Sequence, residues 1–167
     1  MEEEDDSKVI LISSDSKTFE LSAKAAKLSK LIKESIQSNT EDTVEFHVNN
    51  VKGEVLKKVV EYLEHYKDEE PKKIEKPLPS ANFKECVCEW DFNYSDISLD
   101  IIFEIILAAN YLDIPPLLGL ASAKVASILK GKMSEEIREI FGINNNFIPE
   151  EEQQIIEENK WCMENLN

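Results

Sequence analysis

Two histidines, three cysteines and four glycines are the residues from which the usual enzymatic sites would have to be built. His47 lies in VEFHV and reads as a strand residue. His65 lies in EVLKKVVEYLEHYKD and reads as helix surface. A general base must reach the proton it takes, and these two stretches are unrelated elements. Cys86-x-Cys88 could open a zinc site, but no histidine or CxxC partner stands near it to complete four ligands. Cys162, beside Trp161, reads as a small packing residue. Gly53, Gly119, Gly131 and Gly142 are too scattered for a phosphate-cradling loop. Carboxylates are plentiful, yet they fall opposite the apolar stripes, and an acid/base pair needs burial to tune its pKa. No catalytic residue, metal ligand set or cofactor is expected, and the chain reads as a non-enzyme.

Recognition chemistry is better represented. Residues 107–120 read LAANYLDIPPLLGL, an apolar run interrupted by Asn110-Tyr111 and again by Pro115-Pro116. A core helix has no use for the first interruption. Asn and Tyr are the polar and amphipathic residues that a separable interface places at its centre or rim. The prolines cannot continue the preceding helix, so the chain must turn there. Trp161 stands close to the end of the sequence, where residues fray unless something ties them down. Leaving a tryptophan in water there forgoes several kcal/mol, at roughly 25 cal/mol per Å². A partner that supplies the other wall would recover it.

The elements that position these residues can be read from periodicity. KVILIS (8–13) and TFEL (18–21) read as strands around a polar turn, SSDSK. Ser22 can cap a single helix through AKAAKLSKLIKESI, with Ala25, Leu28, Ile32 and Ile36 at helical spacing. VEFHV (44–48) alternates as a third strand. Asn50 can cap a helix carrying Leu56, Val59, Val60 and Leu63 on one face. Residues 68–88 hold three prolines and many charges without periodicity, and read as a flexible insertion, with structure resuming near Trp90. Leu99 to Leu112 is apolar on nearly every side and must be covered on nearly every side. A helix over 116–130 stops at Gly131, Ser134 can cap EEIREIF, and Pro149 suits the first position of a last helix bearing Ile155 and Ile156. Mixed strands and helices point to an α+β class.

Composition narrows the partners. The chain has 167 residues, 42% of them apolar, with 34 acids against 19 bases and a net charge of −15. That sign repels phosphate backbones and anionic membranes, so no nucleic acid and no membrane partner is expected. No stretch nears the roughly 20 apolar residues of a membrane span. The start, MEEEDDSK, is acidic where a targeting presequence is basic. An odd cysteine count fits a reducing compartment, so a cytoplasmic and nuclear location is expected. Asn93-Tyr94-Ser95 then matches a glycosylation sequon by chance.

Several blocks, in order, resemble one family. VILISSDSKTFEL, EVLKKVVEYLEHYKD, ILAANYLDI, a leucine-rich helix ending in ILKGK, SEEIREIFGI and NNFIPEEEQQIIEENKWC are similar to the S-phase kinase-associated adaptor (Skp) family of Skp–cullin–F-box ubiquitin ligases. The resemblance spans nearly the whole chain, leaving the acidic leader 1–7 and the 68–88 insertion loosely matched. It implies an α+β, BTB/POZ-like domain over 8–113 that faces the amino-terminal domain of a cullin, with Asn110 and Tyr111 in that contact. It implies a helical extension over 114–167 that interlocks with F-box proteins. Expected contacts there are Pro115, Leu117, Leu118, Val125, Ile128, Leu129, Ile137, Ile140, Phe141, Ile143, Trp161 and Cys162, about half of the apolar ones serving the chain's own core instead. Pro149 matches a position that is hydroxylated and then glycosylated in similar adaptors of some unicellular eukaryotes, although a helix-starting proline explains it fully.

The function implied is an adaptor that bridges a cullin to interchangeable substrate receptors in ubiquitin-dependent degradation. The insertion departs from the family's strongly acidic loop, since it carries Lys72, Lys73, Lys76 and Lys84. Two other readings stay open. An adaptor like elongin C would lack the tail beyond residue ~115. A self-associating BTB scaffold would cover its apolar helices with a second copy, and a homodimer of the free chain that dissociates on F-box binding fits the adaptor as well.

Overall fold

The computed structural model describes residues 8–38, 43–144 and 149–160. Three strands, β1 (Lys8–Ser13), β2 (Thr18–Ser22) and β3 (Thr43–Val48), form a sheet in the order β2–β1–β3. β1 pairs antiparallel with β2, setting Val9 opposite Leu21, and parallel with β3, setting Val9 opposite Val44 and Leu11 opposite Phe46. Val9, Leu11, Leu21, Val44 and Val48 are all buried. A one-residue slip would turn this apolar set to solvent, so the alternation fixes the register.

The polar turn after β1 does more than reverse the chain. The Asp15 carboxylate accepts from the Ser13 hydroxyl (2.7 Å) and from the Gly53 amide (2.6 Å), and pairs with Lys17 at 2.9 Å. The Lys17 ammonium first, then the Ser13 hydroxyl and the Gly53 amide, hold the Asp15 carboxyl well below the usual carboxylate range. Asp15 thereby caps α3 (Gly53–His65), where Asn50 was expected to; the residue at the cap position itself is Lys52, which makes no side-chain cap bond. Val55, Leu56, Val59, Tyr62 and Leu63 form the buried face of α3.

Ser22 caps as expected, accepting from the Ala25 amide, but the single helix after it is two: α1 (Ala23–Ala26) and α2 (Lys30–Ser38). The break falls at Ser29. Its buried hydroxyl donates to the Leu112 carbonyl and accepts from the Ile32 amide at 3.2 Å, so it starts α2 while anchoring a distant segment.

Helices α4 (Glu89–Tyr94), α5 (Leu99–Tyr111) and α6 (Pro115–Leu129) complete the first compact unit, Met1–Lys130. α5 packs between α3 and α6. The unit runs past the 113/114 boundary read from the sequence, because Leu117, Leu120 and Ala121 of α6 are buried in the same core. Residues 68–88 hold no α-helix or strand, yet they are not solvated throughout. Phe83 is buried, in a short 3₁₀ turn over Phe83–Glu85, and Ile74, Leu78 and Val87 pack against the core. Beneath them, the buried Asp91 accepts from the Tyr66 hydroxyl at 2.8 Å, and the Trp90 ring stacks on His65 at 3.6 Å.

The second unit, Gly131–Asn167, contains α7 (Ser134–Phe141) and α8 (Pro149–Glu158). Gly131 takes a left-handed φ of 77° after α6, and Gly142 one of 61° after α7, conformations that favour glycine. The cap position of α7 is Met133, one residue before the expected Ser134, and the Glu136 carboxylate reaches back to accept from the Met133 amide at 2.9 Å.

Candidate partner-binding surfaces

Two sets of apolar side chains stay uncovered, one in each unit. The first lies on α5. Ile102, Ile105, Ala108, Ala109 and Leu112 face inward, whereas Phe103, Leu107 and Tyr111 are 38%, 65% and 41% exposed. They fall at i, i+4 and i+8, so they form one stripe down the helix, with Asn110 exposed beside Tyr111. The expectation that α5 is covered on nearly every side therefore stops short along this line. Covering one such side chain is worth about 1.5–3 kcal/mol. Asn110 and Tyr111 were legible from sequence. Phe103 and Leu107 were not singled out as site residues, although their spacing from Tyr111 was the signal that could have found them.

The end of this stripe is held rigidly. Leu112 closes α5, Asp113 takes a left-handed φ of 49°, and the Ile114 amide donates back to the Ala109 carbonyl at 2.8 Å. The Lys30 amide donates to the Asp113 carbonyl at 3.1 Å, and the Lys30 ammonium pairs with the Asp113 carboxylate at 3.5 Å. Pro115 and Pro116 then occupy the first positions of α6, where a missing N–H costs nothing. Both are exposed. The two prolines start the new helix as much as they end the old one.

On α6, Leu118, Val125, Ile128 and Leu129 are half-buried. Leu117 is a correction: it is fully buried in the chain's own core, since its side of α6 packs on α5, and it offers nothing to a partner.

The second set lies in the other unit. No residue of α7 is buried: Ile137, Ile140 and Phe141 are half-buried, and Ile143, just beyond, is 56% exposed. Met133 before α7, and Ile155 and Ile156 on α8, are exposed too. Pro149 is the first residue of α8, while its side chain, together with Trp161 and Cys162, lies outside the described residues. Among the described residues of this unit, no apolar side chain is closed off from solvent.

Among the described residues, neither surface includes a histidine or a cysteine. His47 is exposed on β3, and His65 is stacked on Trp90. Cys86 and Cys88 are half-buried thiols, and Cys88 accepts from the Asp91 amide at the start of α4. Among the described residues no three His, Cys, Asp or Glu side chains group as a metal site would need. No helix of the described residues is long and apolar enough to cross a membrane.

Known proteins match this chain in sequence along most of its length. Residues 7–68 match the model of the Skp1 family's tetramerisation domain, and residues 115–162 match that of its dimerisation domain. The S-phase kinase-associated protein 1 homolog of Tetrahymena thermophila is 50% identical over 94% of this chain and 95% of its own length. The E3 ubiquitin ligase complex SCF subunit sconC of Arthroderma benhamiae is 40% identical, over 94% of this chain and 96% of its own length. The SCF ubiquitin ligase complex protein SKP1b of Dictyostelium discoideum is 40% identical, over 92% and 94%. With two family models matched in order and relatives aligned nearly end to end, this chain belongs to the Skp1 family.

Proposed function

We propose that this protein is the adaptor subunit of an SCF-type ubiquitin ligase, joining a cullin to F-box substrate receptors. The observation that carries this reading is the pair of uncovered apolar sets, one on α5 and one over α7 and α8, in a chain whose relatives are named as SCF subunits. The stripe Phe103–Leu107–Tyr111, with Asn110, receives the cullin's amino-terminal domain. The half-buried face of α6 and the apolar residues of α7 and α8, with Trp161, receive the F-box helices. The adaptor itself moves no proton and breaks no bond. It raises the effective concentration of receptor-bound substrate beside the ligase's catalytic end, which is a gain of geometry alone. The uncovered residues of α7 and α8 also suit pairing of two free chains, and light scattering should then read a dimer that an F-box segment dissociates.

Separate pull-downs with a cullin amino-terminal domain and with an isolated F-box segment test the assignment. Asn110→Lys combined with Tyr111→Lys should lose the cullin and keep the F-box, and Trp161→Ala should do the reverse. If each variant lost both partners while keeping its helical circular dichroism, the two-surface reading would be wrong.

A further inference from the structure

Residues 71–78 and α6 face one another across a trough within the first unit. A cavity of about 430 Å³ is roofed by Ile74, Pro77 and Leu78 and floored by Gly119, Ala123 and Ala126. A second, of about 850 Å³, continues toward Pro115 and Pro116 and shares Ile74 and Gly119 with the first. Such volumes suit a bound segment's side chains.

Gly119 sits at the junction. Glycine inside a helix costs about 1 kcal/mol relative to alanine. Nothing in the chain requires it here: the backbone has an ordinary helical φ, and a Cβ at this position would meet no atom within 4 Å. What the missing side chain leaves is backbone open to close approach from the trough.

The rim reverses the charge of the molecule. Net charge is −15, yet Lys72, Lys73 and Lys76 stand within five residues of the roof, all exposed, and among the described residues none has an ion-pair partner. The Lys130 ammonium donates to the Leu78 carbonyl, tying the roof to the far end of α6. Of the two acids along the trough, Asp91 is already bound by the Tyr66 hydroxyl, which leaves Glu75. An apolar floor beneath a basic rim complements an acidic peptide with apolar anchors. A phosphate polymer would find the charge but no use for the floor, and would meet the repulsion of the rest of the chain.

We propose that the trough between residues 71–78 and α6, apart from the α5 stripe and meeting the expected F-box contacts only at Pro115, is a docking site for an acidic peptide segment whose apolar side chains lie against Gly119. The test uses the full chain and a fluorescein-labelled peptide of aspartates and glutamates flanking two leucines, followed by anisotropy. Saturable binding is expected, weakening as salt rises from about 50 to about 300 mM, over which screening shortens the reach of the lysines. Gly119→Trp, whose Cβ meets no atom within 4 Å and whose ring takes up space in the trough, should weaken binding by about tenfold, or ~1.4 kcal/mol. So should Lys72→Glu, Lys73→Glu and Lys76→Glu together. Gly119→Ala should raise the thermal midpoint and still weaken binding, a combination that loss of fold cannot produce. The proposal is overturned if the parent chain shows no saturable binding, if Gly119→Trp binds as the parent does, or if a single-stranded oligonucleotide competes as well as unlabelled peptide. No cullin or F-box enters the assay, so its failure leaves the adaptor reading standing.

Discussion

The Ser29 hydroxyl donates to the Leu112 carbonyl across 83 residues of sequence and joins the break between α1 and α2 to the end of α5. Ser29 is fully buried, so no water replaces the bond once it is lost. Ser29→Ala should therefore destabilise the first unit by about 1–3 kcal/mol, the cost of stranding a buried acceptor. Urea unfolding followed by circular dichroism reads this directly. A loss under ~0.5 kcal/mol would mean that the joint is held by the Lys30–Asp113 contacts instead.

Leu107 and Leu117, ten residues apart, are expected to behave in opposite ways. Leu107 is 65% exposed on the α5 stripe and Leu117 is fully buried. Leu107→Asp should leave the unfolding free energy within about 0.5 kcal/mol of the parent, while it abolishes capture of the cullin domain. Leu117→Ala should cost about 2–5 kcal/mol through the cavity it opens, with any loss of F-box capture following that loss of fold. Parallel urea curves and pull-downs separate the two.

That contrast marks how far the sequence was legible. Alternation in KVILIS and VEFHV and the face Leu56–Val59–Leu63 placed strands and helix correctly, because one buried side imposes its own period. Gly131 stopped α6 where expected, because a left-handed residue is a local demand. Apart from the α7 cap, which moved by one residue, the misses are long-range. Ser29 broke a helix that periodicity ran through, because its partner is Leu112. Asp15 displaced Asn50 as the source of the α3 cap for the same reason. Phe83 anchored an insertion whose composition reads as solvated. On α5 and α6, apolar identity alone could not tell Leu107 from Leu117, since only the packing of neighbours decides which face is covered.

Acid should loosen the seam between α3 and β2. The Glu64 carboxylate accepts from the Ser22 amide at 2.7 Å and pairs with Lys67 at 3.1 Å. Partial burial pushes its pKa up, but the Ser22 amide and then the Lys67 ammonium outweigh that and leave it below the ordinary 4.5. A carboxylate depressed by folding adds stability that is complete above its unfolded pKa and is lost as pH falls through the lower folded value. Urea midpoints should thus fall from about pH 5 downward. Glu64→Gln should flatten part of that slope and be least distinguishable from the parent at the acid end. An unchanged slope would assign the acid sensitivity to other carboxylates.

The pair Tyr66–Asp91 makes the sharpest test of the packed base beneath residues 68–88. Asp91 is buried, with the Tyr66 hydroxyl on one carboxylate oxygen. Burial first, then that hydrogen bond, raises the Tyr66 hydroxyl well above the usual tyrosine range, so it stays a donor at any ordinary pH. Tyr66→Phe removes the donor, keeps the ring against Tyr62 and Trp90, and leaves the carboxylate without this partner. The expected loss is about 1–3 kcal/mol. Asp91→Ala removes the acceptor, so the double variant should lose less than the two single losses added together, with a coupling of about 0.5–3 kcal/mol. Additive losses would show that the two groups hold the fold independently. The hydrogen bond would then be a by-product of the packing around Trp90.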